Sequence, residues 1–268
     1  MYHSLTASSP VSKRLSPRKM AFITGTLLLT STGFICRILG FFYRIFMSRT
    51  IGAEGLGIYN MVHPIFSICF AVCAGSIQTA LSQYVAANQT RGRAVFRTGL
   101  VIAMGMSFLL AWVIYGNAGF LAEKLLLEPR CAPYLPVMAV SVPFAALHAC
   151  INGYYYGMQK ARVPAFSQVA EQVIRMGAVF LIASIWLESG RQITVSLAVY
   201  GHLIGEMASA VFTVFCLGFF PPCKDGDSRR APAIPLSFGA TAAPLMALAL
   251  PLMGNRLILN VLGSAEAI

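Results

Sequence analysis

Seven apolar runs, at roughly 22–47, 58–86, 98–116, 133–157, 164–187, 194–219 and 236–263, are each long enough to cross a bilayer core, which takes about 20 helical residues. In lipid the backbone must satisfy its own polar groups, so only helices and closed barrels span, and runs of this length select the helix. The expected fold is all-α: a polytopic transmembrane helical bundle of about seven spans. Composition agrees. Of 268 residues 57% are hydrophobic and 11% charged, and the mean hydropathy of +0.71 leaves too little polar surface for a soluble domain.

The joins between runs indicate orientation. Lys13, Arg14, Arg18 and Lys19 precede the first run, Arg91, Arg93 and Arg97 follow the second, Lys160 and Arg162 the fourth, and Lys224, Arg229 and Arg230 the sixth. The alternate joins carry only Arg49, Lys124, Arg130 and Arg191, several beside Glu54, Glu123, Glu128 and Glu188. The positive-inside rule therefore predicts a multi-pass protein of the cell membrane with its amino terminus in the cytoplasm. The basic residues before the first run do not mark a secretory signal, because no convincing small-x-small site follows and further spans come after.

Residues 1–19, rich in Ser and Pro, read as a disordered cytoplasmic tail, and 20–219 as a six-helix lobe. Residues 220–235, with Pro221, Pro222, Pro232 and Pro235, read as a cytoplasmic linker. Residues 236–268 read as the start of a second lobe. The ending Ala265-Glu266-Ala267-Ile268 lacks the polar tail that usually closes a membrane chain, so truncation is expected.

A net charge of +11 does not imply nucleic acid, because the basic residues lie between apolar runs rather than on one folded face with polar or aromatic readers. The seven cysteines lack ligand spacing with histidine and read as small core residues. No metal site and no cofactor are expected.

Ionisable residues inside spans are costly and usually face a bundle interior or aqueous cavity. Arg37 and Arg44 lie in the first run. On a helix they share a face with Thr26, Thr30, Gly33, Gly40 and Ser48, while Leu28, Ile35, Leu39, Phe42 and Phe46 lie opposite and are expected to meet lipid. Two turns separate the arginines by about 10 Å, so both forked guanidinium groups can meet one extended anionic head group. Arg44 has the alternative of snorkelling to the interface.

Other runs carry polar stripes that either pack helices closely or line water. The second has Asn60, Ser67, Gln78 and Ser82; the fourth Ser141, His148, Asn152, Tyr155 and Gln159; the sixth His202, Glu206, Ser209 and Thr213. The third lacks such a stripe and is expected toward lipid. Glu171 and Arg175, at i and i+4, read as a pair within one helix or as direct substrate contacts. His202 and Glu206 read as a satisfied polar pair or a proton relay, and His63 and His148 as cavity or packing histidines. The candidate substrate-binding set is Arg37, Arg44, Asn60, Gln78, Asn152, Glu171 and Arg175, with no catalytic residue. The spans hold Arg37, Arg44, Arg175 and Arg256 against Glu171 and Glu206, a positive surplus that favours an anionic, phosphate-bearing substrate.

The stretch Cys36-Arg37-Ile38-Leu39-Gly40-Phe41-Phe42-Tyr43-Arg44, followed by Ser48-Arg49-Thr50-Ile51-Gly52-Ala53-Glu54-Gly55, resembles the opening of the stage V sporulation protein B-like polysaccharide-biosynthesis flippases. Asn152-Gly153-Tyr154-Tyr155-Tyr156-Gly157, Glu171 to Arg175, and Ala249-Leu250-Pro251-Leu252 with Asn255-Arg256-Leu257 resemble the same family. The resemblance implies one lobe of a MATE-like exporter that works by alternating access. It also implies a substrate such as a polyprenyl-diphosphate-linked sugar, used for peptidoglycan, spore cortex or other envelope polymers. Arg37 is similar to a first-helix arginine of the family's cationic cavity, and Arg44 less securely to a second. Family members extend over two lobes, so a missing second lobe or another copy is an expected partner, alongside membrane lipids.

Three alternatives remain at this stage. A cation-coupled multidrug exporter would use Glu171 or Glu206. A membrane glycosyltransferase would use Asp225 and Asp227 to hold a metal, although that pair reads as a solvated loop. A non-transporting scaffold for envelope synthesis is the third.

Overall fold

The computed structural model describes residues 17–222 and 238–265. Most of the predicted tail, most of the linker, and Asp225 and Asp227 lie outside the described residues. Helix α1, Pro17–Phe70, passes through a π-helical turn, Ala71–Gly75, into α2, Ser76–Ala87. Then come α3 (Gly92–Gly116), the short α4 (Ala118–Phe120), α5 (Leu135–Gly157), α6 (Arg162–Glu188), α7 (Ser196–Phe219) and α8 (Phe238–Ala265). The predicted all-α bundle is the observed one.

Among the described residues, six segments are long and apolar enough to span, the first being Ile23–Ala87 at 65 residues. Straight, that segment would reach roughly 97 Å, three times a bilayer core. Gly52 divides it, with φ 75° and ψ 175°, a conformation closed to residues carrying a Cβ. Gly40 and His63 would stand roughly 34 Å apart on a straight helix, yet both line one cavity. The segment is thus a hairpin of two spans, which restores the expected seven.

Packing centres on α5, which runs against α2, α3 and α7. Its residues Leu135, Met138, Val142, Ile151 and Tyr155 are fully buried, surrounded by Ile77, Leu81 and Val95. A second, smaller core joins Met47 to Val179, Ala183, Leu197 and Ala198, and brings α1 onto α6 and α7. Phe46 belongs to this contact, its ring 4.3 Å from that of Phe180, so it faces protein rather than the lipid expected of it. The inner face of α1 is set by Thr32, Tyr43 and Met47, rotated from the predicted arginine stripe, because α6 offers aliphatic and aromatic partners there. Helix α3 also departs from expectation on one side: Val95, Thr98, Gly99, Ala103 and Ser107 are buried, while Val101, Phe108, Leu109 and Trp112 are exposed.

Helix α8 packs on α2 and α3, with Leu245 and Ala249 fully buried in the main core. Arg256 Nη2 donates to Thr79 Oγ1 at 3.0 Å, its guanidinium lying over the side-chain-free Gly75 of the π turn.

Candidate functional site: a cationic cavity above a buried acid–histidine cluster

A cavity of about 220 Å³ opens between the two arms of the α1 hairpin, α6 and α7. It is lined by Gly40, Tyr43, Arg44, Met47, Leu56, Tyr59, Asn60, His63, Gln172, Arg175 and Ala198. Two guanidinium groups and several neutral hydrogen-bonding groups line it, and no carboxylate does. Arg44 makes no ion pair among the described residues, so its charge faces the opening uncompensated.

Beneath the cavity Arg175 turns inward. It pairs with Glu171 on its own helix and lies 3.6 Å from Glu206 Oε1 of α7. Glu206 is 5% exposed, and its Oε2 accepts from His148 Nε2 of α5 at 2.8 Å. His202, 2% exposed and one turn before Glu206, has Nε2 at 3.8 Å from Glu206 Oε1, and neither ring nitrogen has a hydrogen-bond partner. Its ring meets those of Phe66 at 4.4 Å and His63 at 5.7 Å. The site depends on a close approach: a Cβ on Gly205 would sit 2.8 Å from Arg175 Nε, so only glycine lets the guanidinium pass α7.

Of the predicted residues, Arg44, Asn60 and Arg175 meet at the cavity, with Glu171 directly behind Arg175. Arg37 is exposed on α1, two turns from Arg44, and does not line the cavity. Asn152 is buried, with Nδ2 3.5 Å from Ser167 Oγ, which in turn lies 2.8 Å from Ser209 Oγ, a contact joining α5, α6 and α7. Gln78 sits where the α2 backbone passes close to α5: a Cβ on Gly153 would meet the Gln78 backbone carbonyl oxygen at 2.7 Å. In the sequence Glu171–Arg175, His202–Glu206 and His148 stand as separate features of three runs, and no spacing within a run predicts their convergence. The available signal was that ionisable groups in three spans, each shunning lipid, share the same refuge.

Outside the spans, Arg130 joins Glu128 and Glu54 at the surface, with Nε donating to Glu128 Oε1 at 2.8 Å. Hydrogen bonds from Arg130 hold the Glu128 carboxyl below its ordinary range, and the same bonds raise the Arg130 pKa.

The family model described as polysaccharide biosynthesis protein matches residues 22–268. Stage V sporulation protein B of Bacillus subtilis (strain 168) is 30% identical over 249 residues, 91% of this chain and 48% of that protein. Lipid II flippase MurJ of the same organism is 23% identical over 206 residues, 70% of this chain and 38% of that protein. Sporulation protein YkvU is 18% identical over 192 residues, 71% of this chain and 42% of that protein. The chain thus spans about half or less of the length of the curated relatives it matches. Its apolar helices and its match over nearly all its residues place it, as a multi-pass membrane protein, in the polysaccharide biosynthesis protein family.

Proposed function

We propose that this chain forms one lobe of a flippase that carries a polyprenyl-diphosphate-linked sugar from the inner to the outer leaflet of the cell membrane, for cell-wall, spore-cortex or polysaccharide synthesis. The observation that carries the reading is the guanidinium of Arg44, without an ion pair among the described residues, on the wall of a cavity that no carboxylate of those residues lines. In a low-dielectric site Arg44 offers a forked donor to diphosphate oxygens, and Asn60 and Gln172 add neutral hydrogen bonds. Arg37, on the exposed approach, draws the head group toward the opening. No bond is made or broken, so the protein acts as a transporter rather than an enzyme.

Transport by alternating access needs a second body to rock against, supplied by a second lobe or another copy of the chain. The surplus of Lys and Arg in alternate joins supports a cytoplasmic amino terminus. A relative named as a lipid II flippase supports the substrate class.

A cation-coupled drug exporter would be expected to present a carboxylate to its substrate. Glu171 and Glu206 instead lie behind Arg175, which disfavours that reading. The test is titration of the purified chain in lipid nanodiscs with farnesyl diphosphate, farnesol and a quaternary-ammonium dye. Binding of the diphosphate, weakened by Arg44→Ala, supports the proposal; equal binding of farnesol, or preference for the dye, overturns it.

A further inference from the structure

We propose that His148, held against Glu206 beneath the cavity, is a reversible proton-binding site, reached from the cavity past His63 and His202. Two carboxylates, Glu171 and Glu206, face one guanidinium, Arg175, so with both carboxylates ionised the cluster carries one surplus negative charge inside the bundle. An uncompensated charge there is costly, and one bound cation removes it.

The chemistry of the donors selects the proton. His148, Glu171 and Glu206 bring ligand-type atoms within 4.8 Å of one another, but Arg175 already holds both carboxylates and a divalent ion would have to displace it. His148 is an imidazole with Nε2 donating to Glu206 at 2.8 Å and Nδ1 left without a partner. An incoming proton from cavity water forms an N–H bond at Nδ1, and the resulting imidazolium keeps its Nε2–H on Glu206. Surplus charge and imidazolium then cancel.

His202 is the independent sign of an exchangeable ligand. Both its ring nitrogens are buried without a hydrogen-bond partner, beside Glu206 on one side and the His63 ring on the other. His63 lines the cavity, its Nδ1 3.3 Å from Ser67 Oγ. The charged and titratable groups facing the site are Tyr43, Tyr59 and His63 from the α1 hairpin, Glu171 and Arg175 from α6, and His202 and Glu206 from α7. Arg44 stands further out, at the cavity wall.

A charge balance of this kind ties proton occupancy to the cavity. With His148 neutral, the surplus negative charge holds Arg175 inward. With His148 protonated, Glu206 is neutralised by a second partner and the positive field of Arg175 reaches further into the cavity. The proton site stands on cluster geometry alone; its effect on an anionic substrate rests on the flippase reading. The experiment therefore uses no substrate.

The full chain, labelled with 15N-histidine, is placed in nanodiscs, and the ring-nitrogen signals are followed between about pH 4 and 9. The His148 signal is assigned by its loss in His148→Gln, or, should that variant not fold, by elimination with His3→Gln, His63→Gln and His202→Phe. The expected result is a one-proton titration of that signal, with its midpoint lowered by about one pH unit or more in Glu206→Gln, a tenfold loss of proton affinity. A His148 signal that does not titrate across the range overturns the proposal, as does a midpoint unchanged in Glu206→Gln. Replacing potassium by sodium at constant pH is the remaining arm: a sodium-dependent shift without a pH titration gives the site to a metal cation and also overturns it.

Discussion

Glu206, near the middle of α7, lies 2.8 Å from His148 on α5, and the same carboxylate is 3.6 Å from Arg175 on α6, so one acidic side chain ties three helices. Removing one partner of such a buried set strands the others. Glu206→Ala is expected to cost about 3–5 kcal/mol, read as a lowered unfolding midpoint in detergent. In a double-mutant cycle with His148→Ala, the two losses should be less than additive by about 0.5–3 kcal/mol. Additive losses would mean that the two side chains do not act together.

Arg44 and Arg37 should separate by measurement, since one lines the cavity and the other is exposed two turns away along α1. Arg44→Ala is expected to weaken farnesyl diphosphate binding about tenfold or more, as loss of a charge-assisted contact worth about 1.5–3 kcal/mol requires. Arg44→Lys should restore only part of it, because a point charge lacks the fork. Arg37→Ala should chiefly slow association and flatten its salt dependence. Stopped-flow binding at several salt concentrations resolves the two.

Two glycines hold the site's geometry for different reasons. Gly52→Ala forces a Cβ into a backbone conformation that costs about 1–3 kcal/mol, and should loosen the hairpin that forms the cavity wall. Gly205→Ala needs no backbone change, yet its methyl meets Arg175 Nε at 2.8 Å. Overpacking of this kind costs about 1–3 kcal/mol. Both variants should unfold at lower temperature, and Gly205→Ala should also disturb the His148 ring signal.

The Glu128–Arg130 pair sets a modest acid limit at the surface. Glu128 has its folded pKa depressed by Arg130, so its contribution is present above the unfolded value, near 4.5, and is lost as pH falls through the lower folded value. The pair is exposed, so salt should weaken the effect. Thermal unfolding of the parent and Arg130→Ala should converge as pH drops below that window, and a gap unchanged by pH or salt would assign Arg130 another role.

The spans were legible because hydrophobic length maps directly onto helix length in a bilayer. The break at Gly52 was not, since one residue's φ decides whether two runs form a rod or a hairpin, and glycine permits either. Arg44 and Arg175 could be nominated from the cost of charge in lipid, a local property of each helix. Which face of α1 turns inward was decided by Val179, Phe180 and Ala183 of α6, partners more than a hundred residues away. In the same way, Glu171, Arg175, His202, Glu206 and His148 each announce a polar face, but their union depends on how three helices rotate about their axes. Apolar patterning along one chain leaves that rotation open, whereas close packing between helices, as at Gly205, fixes it.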